Sequence, residues 1–125
     1  MIVGTGLDIV ETVRLRALIE RAGMRFVERW FSPGEIAYCC GKADPCIHLA
    51  ARMAAKEAAV KALGLHWDGP IGWRQISVIV GESGVPALSL EGLALRAARA
   101  LGASRLHLSI SHCEGYAAAS VIAEG

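Results

Sequence analysis

Asp8, Lys56, Glu57, Lys61 and His112 are the ionisable residues that folding patterns leave without an evident structural job, and Arg52 stands near them in the chain. Their types suit phosphate chemistry. Two hard carboxylates, Asp8 and Glu57, can hold Mg²⁺, an ion that prefers oxygen and keeps waters for substrate phosphates, while lysine, arginine and histidine are the cations a polyphosphate needs. Gly4-Thr5-Gly6 lacks the third glycine and the following helix start of a dinucleotide fingerprint, so that reading is rejected. No Ser/His/Asp arrangement is favoured by spacing either.

These residues must be carried on particular elements. Residues 2–10 alternate as a strand, with Thr5, Leu7 and Ile9 on one face and Gly4, Gly6 and Asp8 on the other. The glycines beside the carboxylate either let a helix pack close or make room for a ligand. Asp44-Pro45 opens a long helix that runs to Leu63 and stops at Gly64. On it, Leu49, Met53, Lys56, Val60 and Leu63 form an apolar seam with a lysine in the middle, so Lys56 either snorkels to the rim or reaches an anion in a cleft. A neighbouring lane of Ala50, Ala54, Glu57 and Lys61 carries an i,i+4 ion pair, Glu57 with Lys61, beneath small side chains.

Upstream, Thr12 is the expected N-cap of a helix from Val13 to about Arg21, with Leu15, Leu18, Ile19 and Ala22 as its stripe and Gly23 as its stop. A short helix follows from Met24 to Trp30. Ser32-Pro33-Gly34-Glu35 is a capping box opening a third. Arg14 and Arg21 share a helix face, continued by Arg25; they are either a solvated face or a docking patch for an acidic partner. Downstream, Ile76 to Val80 and Val85 to Leu90 read as a hairpin, Glu91 to Leu101 as a helix stopped by Gly102, and Arg105 to His112 with Tyr116 to Ala123 as a second hairpin. His112 ends its strand at the sheet rim, either as a packing residue or as a donor to phosphate. The order of elements predicts an α+β fold: a single domain over residues 1–125, with a mainly antiparallel sheet, a long central helix and shorter helices.

The 125 residues, 54% hydrophobic with 13 basic and 12 acidic side chains, suffice for one core. A net charge of +1 excludes a nucleic-acid binder working through a broadly basic face. No window reaches the roughly 18 consecutive apolar residues of a membrane span. The N-terminus enters an alternating pattern rather than a secretory one, so a cytoplasmic, reduced chain is expected. Cys39, Cys40, Cys46 and Cys113 have neither CxxC nor zinc-knuckle spacing and read as small buried apolar residues.

Val3 to Glu11 (VGTGLDIVE), Phe31 to Glu35 (FSPGE), Arg52 to Gly64 (RMAAKEAAVKALG), Gly84 to Leu90 (GVPALSL) and Ser109 to His112 (SISH) together resemble the ordered motifs of the holo-acyl-carrier-protein synthases, small bacterial 4'-phosphopantetheinyl transferases. The resemblance spans nearly the whole chain. It implies a 4'-phosphopantetheinyl transferase-like fold and transfer of the phosphopantetheine arm of coenzyme A to a serine of an apo acyl carrier protein, for fatty-acid or polyketide synthesis, in a homotrimer whose sites lie between subunits. By position, Asp8 and Glu57 would hold Mg²⁺. Lys61 and Lys56 would neutralise phosphate charge, Arg52 and His112 would contact the coenzyme's phosphates, and Arg14, with Arg21 and Arg25, would meet an acidic carrier helix. The serine proton would pass to Glu57, through a water, or to Lys61. The alternative from another class is a non-catalytic trimeric coenzyme A-binding module. The chain departs from the family where Gly64 is followed by Leu65-His66-Trp67-Asp68-Gly69 instead of a glycine-threonine-glycine loop, and between Cys39 and Cys46.

Overall fold

Strand β1 (Ile2–Glu11) and helix α4 (Pro45–Ala62) approach each other through small residues on both sides. A Cβ built on Gly4 would run into the carbonyl oxygen of Ala62, and one on Gly6 into that of Ala58. The space above the two glycines is therefore filled by helix backbone, not by a ligand. Alanines 54, 55, 58, 59 and 62 are all buried on this helix, which lets it lie flat across the sheet and form the core.

The computed structural model describes residues 1–66 and 72–125. After β1 come α1 (Thr12–Ala22), α2 (Met24–Trp30), α3 (Pro33–Cys40) and α4, then a short 3₁₀ turn (Trp73–Gln75), β2 (Ile76–Val80), β3 (Pro86–Leu90), α5 (Gly92–Leu101), β4 (Arg105–His112) and β5 (Tyr116–Glu124). Trp67, Asp68 and Gly69, part of the departure from the family pattern after α4, lie outside the described residues. The fold is α+β and the pairing antiparallel throughout, but the single sheet expected from the element order is two: β1-β5-β4 and the β2-β3 hairpin. Strand β3 packs beside β4 without joining its hydrogen-bond ladder.

The capping box of α3 forms as its residue types require: the Glu35 amide donates to Ser32 Oγ at 3.3 Å and the Ser32 amide to Glu35 Oε1 at 2.9 Å. Asp44 caps α4 through the Cys46 amide at 3.1 Å. Gly102 ends α5 in the left-handed region, at φ 82°, where a side chain would be strained. Thr12 is not the cap of α1. β1 runs on through Glu11, which takes the cap position, and the Thr12 amide donates to the Gly115 carbonyl at 3.0 Å while its side chain is buried. Ala22 lies outside the buried stripe of that helix, being exposed at its end. Cys39 is buried and Cys46 half-buried, but Cys40 and Cys113 are exposed, because one closes α3 on its solvent side and the other sits in the β4-β5 turn. No helix among the described residues is long and apolar enough to cross a membrane.

Candidate active site

The close seat of α4 on β1 brings Asp8 to Glu57 and Lys61. Lys61 Nζ donates to Asp8 Oδ1 at 3.0 Å and to the Leu7 carbonyl at 2.9 Å. The i,i+4 pair expected between Glu57 and Lys61 is thus replaced by a contact across 53 residues, since the strand offers Lys61 a carboxylate and a carbonyl together. Asp8 Oδ2 is buried and has no hydrogen-bond partner among the described residues. The Glu57 carboxyl lies beside it and is pushed up to about 8, first by burial and then by the adjacent Asp8 carboxylate, with Lys61 opposing. A buried carboxyl held next to a second carboxylate forms a seat for a cation.

No cluster of three or more His, Cys, Asp or Glu ligands occurs among the described residues. Two carboxylates fit an ion such as Mg²⁺, which takes one or two from the protein and completes its shell with water and substrate phosphate. The orphaned Asp8 oxygen beside Glu57 meets that requirement.

Two concavities flank this trio. One, of about 260 Å³, is lined by Arg14, Leu15, Phe26, Trp30, Met53 and Glu57. The other, of about 320 Å³, is lined by Leu7, Asp8, Ile9, Lys61 and Ala118. Arg25 borders a third hollow beyond Trp30, together with Phe26 and Arg29. Arg21 is exposed in the last turn of α1.

Arg52 and His112 do not join Asp8. On α4, Arg52 and Glu57 are about 140° apart around the axis, and His112 lies on β4, two strands from β1 and so about 10 Å across the sheet. They belong instead to a basic cluster that sequence spacing left unread. The Arg52 guanidinium stands 4.3 Å over the Tyr38 ring and Lys42 Nζ 4.6 Å over it, while the His48 ring is 5.5 Å from that of His112. Arg52 is buried, and its Nε has no hydrogen-bond partner among the described residues. Burial, then Arg52, His112 and Lys42, pull the His48 imidazole below its ordinary value. His48 and Arg52, four apart on α4, carry the one signal that would have exposed this cluster.

Lys56 neither snorkels nor faces a cleft. It is 0% exposed, its Nζ lies 2.7 Å from Glu35 Oε1, and it donates to the carbonyls of Trp73, at 3.1 Å, and Ile76. Those three acceptors use its three protons. Burial lowers the Lys56 ammonium below its usual range and Glu35 opposes the shift.

Motif order and fold agree with the likeness found among known proteins. The family model of the 4'-phosphopantetheinyl transferase superfamily matches residues 4–121. The chain belongs to that superfamily. It is 48% identical over 124 residues, 99% of each chain, to the holo-[acyl-carrier-protein] synthase of Koribacter versatilis. The crystal structure of the Neisseria meningitidis holo-[acyl-carrier-protein] synthase superposes with a TM-score of 0.91 at 34% identity, covering 100% of both chains. That of Helicobacter pylori, in complex with coenzyme A, superposes with a TM-score of 0.83 at 30% identity, covering 96% of this chain and 99% of the other. Within the superfamily fold, Asp8, Glu57 and Lys61 form the open, polar trio and the Arg52 cluster a separate basic flank.

Proposed function

We propose that this chain transfers the 4'-phosphopantetheine group from coenzyme A to a serine of an apo acyl carrier protein, releasing adenosine 3',5'-bisphosphate. The observation that carries the reading is the buried Asp8 oxygen without a partner, set against Glu57 and next to Lys61. Asp8 and Glu57 would hold Mg²⁺, which supplies charge neutralisation on the pyrophosphate. Lys61, exposed over half its side chain and anchored by Asp8 and the Leu7 carbonyl, offers its remaining proton and its charge to a phosphate oxygen. Glu57 is the better-placed relay for the serine proton, through a water, because Lys61 Nζ is already engaged by Asp8 and the Leu7 carbonyl.

The carrier enters over the concavity of Arg14 and Trp30, with Arg25 and Arg21 meeting its acidic side chains. The basic cluster of Lys42, His48, Arg52 and His112 suits the coenzyme's phosphates, yet it lies on the other flank of α4 from Asp8. One chain therefore presents two half-sites. The outward face of β1 and β5 carries Leu7, 68% exposed, Ile9, 65%, and Ile122, 39%, an apolar surface suited to a second copy. A homotrimer in which one subunit's basic flank meets the next subunit's Asp8 trio joins the halves.

The test is to incubate the protein with coenzyme A, Mg²⁺ and an apo carrier protein and weigh the carrier. A mass increase of one phosphopantetheine group is expected. No increase with several carriers, while coenzyme A still binds, would leave a binding module and overturn the reading.

A further inference from the structure

The Glu35–Lys56 pair has no part in the transfer proposed above, yet it holds two charges out of water. A well-packed apolar pair of the same volume would serve folding at least as well. What the pair makes is a clamp. Glu35 Oε1 takes Lys56 Nζ at 2.7 Å and the Ser32 amide at 2.9 Å, and Oε2 takes the Val78 amide at 3.1 Å. Lys56 in turn grips the carbonyls of Trp73 and Ile76. The start of α3, the middle of α4 and the chain entering β2 are fastened at one point, one residue from Glu57.

The clamped backbone carries Trp73, whose ring lies 3.6 Å from that of Trp30, centroid to centroid, at an interplanar angle of 33°. Trp30 lines both the concavity that holds Arg14 and Glu57 and the one that holds Arg25. We infer that Glu35 and Lys56 are positioning residues for the acceptor: by fixing the backbone at Trp73 they brace Trp30 as the wall against which the carrier protein seats. The inference rests on the transfer reading, and it gives Lys56 a place in carrier recognition rather than on the coenzyme's phosphates.

The experiment compares wild type, K56M/E35M, W73L and the triple variant by steady-state kinetics, varying the apo carrier and coenzyme A separately. Replacing both partners avoids leaving one buried charge alone. The carrier KM is expected to rise about tenfold in K56M/E35M, with kcat and the coenzyme A KM within about twofold. W73L should raise the carrier KM similarly, and the pair replacement should add less than about twofold on top of it, because both act through one wall. An unchanged carrier KM in folded K56M/E35M, or penalties that multiply in the triple variant, would overturn the inference. Should K56M/E35M not fold, W73L against W73F decides: the carrier KM rises in the first and returns to within about twofold of wild type in the second, where an aromatic ring still packs on Trp30. Equal values in both would overturn it. Inactive wild type would instead refute the transfer reading, so the two failures are distinct.

Discussion

Helix α4 carries two lysine–carboxylate pairs five residues apart, and they are built to opposite plans. Lys56 and Glu35 are fully sealed, and amides and carbonyls occupy the polar atoms of both. Lys61 and Asp8 lie at the surface, the lysine 55% exposed, and leave a buried carboxylate oxygen with no partner among the described residues. A closed pair has nothing left to offer a ligand, so it can only hold structure. An open pair has unspent capacity, and beside it burial and the adjacent Asp8 raise Glu57. Burial alone does not mark a functional charge; unsatisfied bonding capacity does.

The sharpest break between the pairs is in turnover. Asp8→Ala and Glu57→Ala are each expected to lower kcat by about 10³-fold or more in the carrier mass assay, with little change in the melting temperature. Full activity in either would remove the metal assignment. The stability effect runs the other way. Lys56→Met strands Glu35 in the core and should cost about 3–5 kcal/mol in urea unfolding. Lys61→Met, at a half-exposed pair, should cost no more than about 1 kcal/mol. Equal costs would mean that the closed and open pairs do the same work.

A smaller effect separates the trio from its docking surroundings. Arg14→Glu should raise the carrier KM about tenfold and leave coenzyme A binding, followed by calorimetry, unchanged. Unaltered affinity for the carrier would detach Arg14 from docking. The smallest effect is on pH. Without metal, Glu57 is raised from 4.5 to about 8 in the folded chain, so the native state binds the extra proton. Its contribution to stability is complete below about pH 4.5 and is lost as pH rises through 8. Between pH 5 and pH 9 the full shift would amount to about 4 kcal/mol, and with solvent screening of this half-buried carboxyl metal-free wild type should lose on the order of 1 kcal/mol relative to Glu57→Gln in denaturant melts. A constant difference across that range would contradict the shift.

Much of the fold was legible because its signals are local. Ser32-Pro33 with Glu35, Gly23, Gly64 and Gly102 act within one turn of themselves, and the helices begin and end where they indicate. Of the residues singled out for the candidate site, Asp8, Glu57 and Lys61 come together while Lys56, Arg52 and His112 do not, and the wiring was not legible. Glu57 and Lys61 have ideal helical spacing, but Lys61 turns to Asp8, 53 residues away, because long-range packing sets β1 against α4. Lys56 was read as a seam lysine that snorkels to the rim or reaches an anion because Glu35 already had a complete local role as a capping residue, and nothing in its spacing announces a second one. Thr12 has the right type for a cap, yet the turn carbonyl of Gly115 claims its amide first. Tyr38, Lys42 and His48 went unread because only the packing of α3 on α4, and the rim of β4, brings them to Arg52 and His112.

The central claim, that the open pair and Glu57 form the cation seat on which transfer depends, is tested most directly by crystals grown with coenzyme A and Mn²⁺ in place of Mg²⁺. An anomalous peak within coordination distance of the Asp8 and Glu57 carboxylates is predicted. A well-ordered coenzyme whose Mn²⁺ lies away from both carboxylates would contradict the account.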